Sequence, residues 1–147
     1  MNKECTYDFS HARRGIALLI HNEEYDPTSR FNNRPGDNED FKHMLEIFKE
    51  LEFDVHPHRN LKSSDISNRA KEVSEMKDMH KKSDCFVCVI AAHGEEIQEG
   101  KSTMTEHVIF GTDGIPIQTR EIVEMFDENN CEELVDKPKF FFIQVSS

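Results

Sequence analysis

The stretch that decides the fold is Cys-Phe-Val-Cys-Val-Ile-Ala-Ala, residues 85–92, which runs directly into His93-Gly94. It carries no charge, and such an unbroken apolar run predicts a strand that is buried on both faces. Two further runs are similarly apolar: Gly-Ile-Ala-Leu-Leu-Ile at residues 15–20, and Lys-Phe-Phe-Phe-Ile-Gln-Val at residues 139–145, where only Lys139 and Gln144 are polar. Strands of this kind belong to largely parallel sheets that helices cover on both faces.

Amphipathic stretches separate these runs. Phe41, Met44, Leu45, Phe48 and Leu51 recur at spacings of three and four, which predicts one apolar face of a helix that Asp37 or Asn38 caps. Ile66, Ala70 and Val73 form a second apolar stripe, preceded by possible caps at residues 63–65. The sequence therefore predicts an α/β fold with a mostly parallel sheet and helices on both faces.

The segments between these elements are shorter. We expect a polar loop at residues 22–37, a short strand at 53–55 and an exposed loop at 95–106. Residues 107–117 predict a hairpin around Gly111-Thr112-Asp113-Gly114, because Asp-Gly favours the positive φ of hairpin turns. Thr119 is the predicted cap of a short helix that carries Ile122, Val123 and Phe126.

Composition narrows the possible partners. The chain has 147 residues and fits one domain, which we expect at residues 13–147 behind an N-terminal arm at residues 1–12. Its net charge of −11 should repel nucleic acid and anionic lipid, so we expect neither as a partner. No apolar run approaches the roughly 18 residues of a membrane span. The polar N-terminus does not resemble a secretory signal, which predicts a cytoplasmic protein.

The four cysteines are Cys5, Cys85, Cys88 and Cys131. Without an export signal we expect them to be reduced thiols. Cys85 and Cys88 have the spacing of a metal-binding pair, but residues three apart on a strand point to opposite faces. We therefore interpret them as core thiols, and the sequence predicts neither a metal site nor a cofactor.

The chemistry is expected where the strands end. In an open α/β sheet, sites lie beyond the carboxyl ends of the strands. The loop after Ile20, the His93-Gly94 pair and Ser146 all follow predicted strands, and parallel strands bring them to one edge. His93 can act as an acid or base near neutral pH, and Gly94 lets a substrate approach its backbone N–H.

Several segments resemble caspases. They are Arg13 to Ile20, Phe86 to Glu96, Lys137 to Gln144, and Arg34-Pro35-Gly36 followed by Asp40. These matches occur in family order over nearly the whole chain. The resemblance implies the large-subunit region of a caspase-like fold without the strands of the small subunit.

The nucleophile position departs from the family. The family motif is Q-A-C-[RQG]-G, with the histidine about 50 residues upstream. Here Gln144-Val145-Ser146-Ser147 occupies that place, and Ser146 lies 53 residues after His93. Serine thus stands where the family has cysteine. An alcohol is a far weaker acid than a thiol, so we expect the chain not to cleave peptides on its own.

The resemblance implies roles for five residues. His93, Gly94 and Ser146 occupy the catalytic positions, while Arg34 and Gln144 line a pocket for the Asp that precedes the cut bond. An arginine suits that task because its guanidinium pairs with a carboxylate through two hydrogen bonds. The implied partners are a caspase small subunit or caspase-like chain, and proteins or peptides with Asp before the cut.

Three functional interpretations remain open from the sequence. The chain could be the large subunit of an aspartate-specific endopeptidase of cell death, with Ser146 an engineered change or a local variant. It could be a natural non-catalytic homologue that regulates active caspases by pairing with their subunits. It could also be a binding module with an unused pocket. Val145 and Ser147 favour the second over an engineered change, which would alter only the cysteine.

Overall fold

A computed structural model of the chain describes residues 7–34, 37–98 and 105–146. Its strands are β1 (Arg13–His21), β2 (Asp54–Arg59), β3 (Ser83–Gln98), β4 (Thr105–Phe110), β5 (Pro116–Gln118) and β6 (Lys139–Ser146). The helices are α1 (Asp37–Glu50), α2 (Ser63–Ser74), α3 (Lys77–Lys81) and α4 (Thr119–Glu124), with a 3₁₀ turn at Glu132–Leu134. The predicted α/β fold is confirmed.

The sheet is built around β3. Its first two thirds pair in parallel with β1 on one side and with β6 on the other, and β2 pairs in parallel with the far side of β1. Beyond His93, β3 changes partner and pairs antiparallel with β4, which in turn pairs with β5. The parallel order in the centre brings the carboxyl ends of β1, β3 and β6 to one edge.

Helices cover both faces of the parallel strands, as the sequence predicts. On one face, alternate residues of β1 and β3 pack against α2, α4 and the segment after α4. Phe86 and Phe126 stack at the centre of this cluster with 4.1 Å between their rings. On the other face Ala17, Leu19 and Val87 pack against Phe41 and neighbouring residues of α1. This alternation places successive residues of β1 and β3 in two different cores.

The cysteines described by the structure are core thiols, as predicted. Cys85, Cys88 and Cys131 are buried and free. Burial raises the pKa of each thiol, to about 12 for Cys88. No helix within the described ranges has the length and apolar character that a membrane crossing requires.

Three local predictions are wrong. Residues 95–98 and 105–106 form a β-ladder rather than an exposed loop, because Glu95 to Gln98 pair with residues 105–108. The predicted loop tip at 99–104 lies outside the described residues. Thr119 is the first residue of α4 rather than its cap, and Ser63 likewise begins α2. The side chains of Asp37 and Asn38, the predicted caps of α1, are not described.

Candidate active site

The edge where β1, β3 and β6 end brings three of the predicted site residues together. His93 and Ser146 are partners in the β3–β6 register, so the ends of these strands lie side by side. Arg34 reaches the same place from the loop that follows β1. The residues that follow the predicted strands therefore lie close together in the folded chain.

His93 is held by two carbonyl oxygens. Its Nδ1 lies 3.2 Å from the carbonyl oxygen of Ser146, and its Nε2 lies 2.7 Å from that of Asn32. The residue is only 7% exposed. A neutral imidazole has a single N–H, so it can donate to one of these oxygens at a time. Main-chain groups, rather than a carboxylate, thus orient the ring.

Aromatic rings enclose the imidazole. Phe31 stacks on it with 4.9 Å between the ring centres, and Tyr25 meets it edge-on at 4.7 Å. The backbone N–H of His93 donates to the hydroxyl of Tyr25 at 2.8 Å, and that hydroxyl donates to the carbonyl oxygen of Phe110 at 3.1 Å. Burial raises the pKa of Tyr25, which keeps the phenol protonated as this chain of hydrogen bonds requires.

Arg34 is buried at the same edge. Its Nε donates to Ser146 Oγ at 3.1 Å, and its Nη1 donates to the carbonyl oxygen of Asn22 at 2.8 Å. Its backbone N–H donates to the carbonyl oxygen of Glu23 at 2.7 Å. The arginine is 6% exposed, so most of its guanidinium is turned away from water.

Two asparagines hold the loop that carries these residues. Asn22 exchanges hydrogen bonds with the main chain of Leu61, at 3.0 Å as donor and 2.8 Å as acceptor. Asn60 has a positive φ of 56° and accepts the N–H groups of Glu23 and Glu24, each at 2.9 Å. Asparagine tolerates that backbone conformation better than most residues. The loop is therefore fixed to β2 and its following turn.

Gly94 is required by packing within the chain. A Cβ atom placed there would lie 2.6 Å from Cγ1 of Val145 and 2.8 Å from the carbonyl oxygen of Val108. Gly94 also pairs with Ile109 across β3 and β4. A side chain at this position would separate β3 from its neighbours.

Comparison with known proteins agrees with this architecture. The family model described as the caspase domain matches residues 14–147. The chain belongs to the caspase family. The resemblance found in the sequence is thereby confirmed, and with it membership of a family of cysteine endopeptidases.

Relatives within the family are moderately similar. The chain is 35% identical to caspase-3 of Xenopus laevis over 138 residues, and 34% identical to caspase-6 of Gallus gallus over 138 residues. Caspase-7 of Gallus gallus is 28% identical over 138 residues. Each alignment covers 94% of this chain but only 40 to 44% of the relative. The chain thus spans less than half the length of these caspases.

Gln144 is on the same strand as Ser146 but is not hydrogen-bonded to the described residues of the cluster in this caspase chain. It is exposed and lines a groove with His21, Asp40 and Phe41. Within the described residues it forms no hydrogen bond with His93, Arg34 or Ser146. It precedes Ser146 by two residues on β6, so both side chains lie on the same face of the sheet.

Sequence reasoning missed the residues that surround His93. Tyr25, Phe31 and Asn32 lie in a loop whose polar composition gave no reason to expect a built enclosure. Arg30 adds to it, with its guanidinium 4.5 Å from the Phe31 ring and an ion pair to Glu95 at 2.9 Å. Two aromatic residues in an otherwise polar loop were the available signal.

Proposed function

We propose that this chain corresponds to the large-subunit part of an aspartate-specific endopeptidase of apoptosis, and that it does not cleave peptides itself. One observation supports the proposed lack of peptide cleavage. Ser146, which we assign to the nucleophile position, lies beside His93, yet its hydroxyl is bonded to Arg34 Nε and not to the imidazole. The domain bounds we propose are 13–147, with residues 1–12 as an arm.

The chemistry of the alcohol supports inactivity. A serine nucleophile needs a base that accepts its proton during attack, at about 2.6–3.2 Å. The imidazole of His93 faces the carbonyl oxygens of Ser146 and Asn32 instead. The cysteines within the described ranges offer no substitute, because all of them are buried and their thiol pKa values are raised.

Arg34 and Gln144 are the proposed recognition residues for Asp. Arg34 supports this role because it is a buried guanidinium at the edge where a peptide would meet Ser146. Gln144 shares the sheet face with Ser146. Gly94 is the proposed backbone donor to an oxyanion, although the valine at position 145 narrows the space beside it.

A turnover assay tests this proposal. The purified chain is incubated with a peptide that carries Asp before a fluorogenic group, and we expect no release above the rate in buffer. Cleavage that His93→Ala abolishes would show that Ser146 works as a nucleophile. The Ser146→Cys variant, supplied with a caspase small subunit, should regain activity if the serine alone blocks turnover.

The regulatory alternative rests on a different surface. Phe140 and Phe142 of β6 are 45% and 56% exposed, and Ile47 and Leu51 at the end of α1 are 42% and 51% exposed. We call these four side chains the α1–β6 apolar band. A groove of about 550 Å³ lies within it, between Met44, Ile47 and Phe142, and a second of about 410 Å³ lies between Leu51 and Phe140.

The α1–β6 apolar band suits a partner that adds a strand. Within the described residues β6 pairs only with β3, so its other edge presents backbone groups that a further strand can bind. A caspase small subunit or a caspase-like chain is the proposed partner. Pairing with such subunits is how a chain without turnover would regulate active caspases.

Co-expression tests the pairing. A small subunit produced with this chain should raise its soluble yield and slow amide exchange along residues 140–145. The Phe142→Asp variant should lose both effects, whereas Ile115→Asp, between β4 and β5 and similarly exposed at 55%, keeps them. A monomeric chain whose β6 amides stay protected without any partner would contradict the regulatory alternative.

A further inference from the structure

We propose that the Ser146 hydroxyl blocks one edge of Arg34, so that a peptide carboxylate must displace it before Arg34 can bind that carboxylate through its Nε–H. Ser146 contacts both candidate functional groups at once. Its Oγ accepts from Arg34 Nε at 3.1 Å, and its carbonyl oxygen faces His93 Nδ1 at 3.2 Å. A serine in place of the family's cysteine at position 146 would then weaken binding of the peptide carboxylate as well as remove the thiol nucleophile.

The contact is preorganised on both sides. The position of Ser146 is fixed by the β3–β6 ladder, in which it is the partner of His93. Arg34 is fixed by its backbone bond to Glu23 and by the Nη1 bond to Asn22. Because neither group has to be ordered when they meet, their hydrogen bond costs little conformational entropy.

Carboxylate recognition competes with this contact. An arginine binds a carboxylate in two-pronged fashion through parallel N–H groups along one edge of the guanidinium. Nε–H belongs to such an edge, and the Ser146 hydroxyl occupies it. A carboxylate forms the stronger interaction, because it brings a full negative charge and can accept from two N–H groups, whereas the uncharged hydroxyl accepts from Nε alone. Ligand binding is therefore weakened by the serine rather than abolished.

The carboxylate ligand is taken from the proposed function, whereas the Arg34–Ser146 contact depends on geometry alone. The test separates the two. Its first part uses no ligand: hydrogen exchange of the Arg34 Nε–H is followed by NMR in the ¹⁵N-arginine-labelled chain. Ser146→Ala should accelerate this exchange about tenfold, since one hydrogen bond of about 1.4 kcal/mol is lost. Ser67→Ala, a partly buried serine on α2, is the matched control and should leave it unchanged.

The second part measures binding. Fluorescence anisotropy compares a labelled tetrapeptide ending in amidated Asp with its Asn counterpart. Ser146→Ala should tighten binding of the Asp peptide about threefold to tenfold and leave that of the Asn peptide unchanged, while Ser67→Ala affects neither.

The outcomes differ in what they overturn. Unchanged Nε–H exchange in Ser146→Ala, or weaker binding of the Asp peptide, would overturn the proposal. Faster exchange with no binding of the Asp peptide by any variant would retain the internal contact and overturn Asp as the proposed ligand.

Discussion

The strands β3 and β6 are similar in sequence character but differ in what covers them. β3 is buried without interruption from Ser83 to Gly94, and both of its edges are paired. In β6 the side chains alternate between half-buried and exposed from Lys139 to Gln144, and one edge pairs with β3. Apolar composition thus specifies that a segment forms a strand, whereas its position in the sheet decides how much of it other residues cover.

Phenylalanine substitutions give the largest test of this difference. Phe86 of β3 is fully buried and stacks on Phe126, so Phe86→Ala should lower the free energy of unfolding by about 3–5 kcal/mol. Phe142→Ala on β6 should lower it by less than about 1 kcal/mol, since that ring is already 56% exposed. Urea unfolding of both variants measures this. Equal losses would mean that β6 is as well covered as β3.

The end of β6 should govern selectivity through Arg34. Removing one partner of a charge-assisted pair costs on the order of 2 kcal/mol or more, so Arg34→Ala should abolish the preference for an Asp peptide over an Asn peptide. Calorimetry with both peptides measures the difference. Equal affinity of the unaltered chain for the two would refute Arg34 as the recognition residue.

A smaller effect on the free energy of unfolding is expected from the protonation of His80, which packs against Phe86 of β3. His80 is fully buried, meets Phe86 edge-on at 5.8 Å, and its Nε2 lies 2.7 Å from the carbonyl oxygen of Val73. Burial lowers its pKa, with the Val73 bond and Glu133 opposing the shift. As pH falls, His80 is therefore protonated in the unfolded chain before it is protonated in the folded one. The folded state consequently loses stability as the pH drops below about 6.5.

The His80→Gln variant tests this, because its amide can still donate to Val73. Its stability, measured by urea unfolding between pH 7 and pH 5, should fall less steeply than that of the unaltered chain. His43→Gln, on the exposed side of α1, is the control and should keep the original slope. Identical slopes for all three proteins would exclude His80 as the cause.

The smallest effect is expected at the other side of the sheet. Arg13 and Asp54 join β1 to β2 through an exposed ion pair at 3.2 Å. Exposed pairs contribute about 0–1 kcal/mol, so Asp54→Asn should change the free energy of unfolding by no more than that. The effect should also disappear in high salt. A larger, salt-independent loss would show that β2 depends on this contact.

The sequence predicted β1, β6 and the first part of β3 well because their runs are largely apolar. The mostly polar strand β2 (Asp54–Arg59) was predicted only at residues 53–55. Sequence reasoning missed the extension of β3 to Gln98, because Glu95, Glu96 and Gln98 are polar and do not alternate regularly with apolar residues, so the segment resembles a loop. The short helix α3 was also missed, since its five residues are mostly polar. Its burial comes from tertiary contacts, among them His80 against Phe86 and Phe126.

The candidate site was predictable only in part. His93, Arg34 and Ser146 follow from strand ends and from the family resemblance. The contacts that orient them do not, because they come from carbonyl oxygens of Asn22 and Asn32, which every residue type possesses. The partner of the Thr119 side chain was equally unpredictable. Its hydroxyl bonds to His107 of β4 rather than to the helix that it begins.

The parallel order around β3 also has a consequence for how fast the chain can fold. Cys85 and Arg14 meet across β3 and β1 although 71 residues separate them, and His93 meets Ser146 across 53 residues. Long loops must close before such pairs form, so the central sheet has a high contact order and should assemble slowly. The hairpin of β3 and β4 is local by contrast. During synthesis β6 emerges after the other strands that the structure describes, and until it docks, the edge of β3 that it covers stays open to other chains.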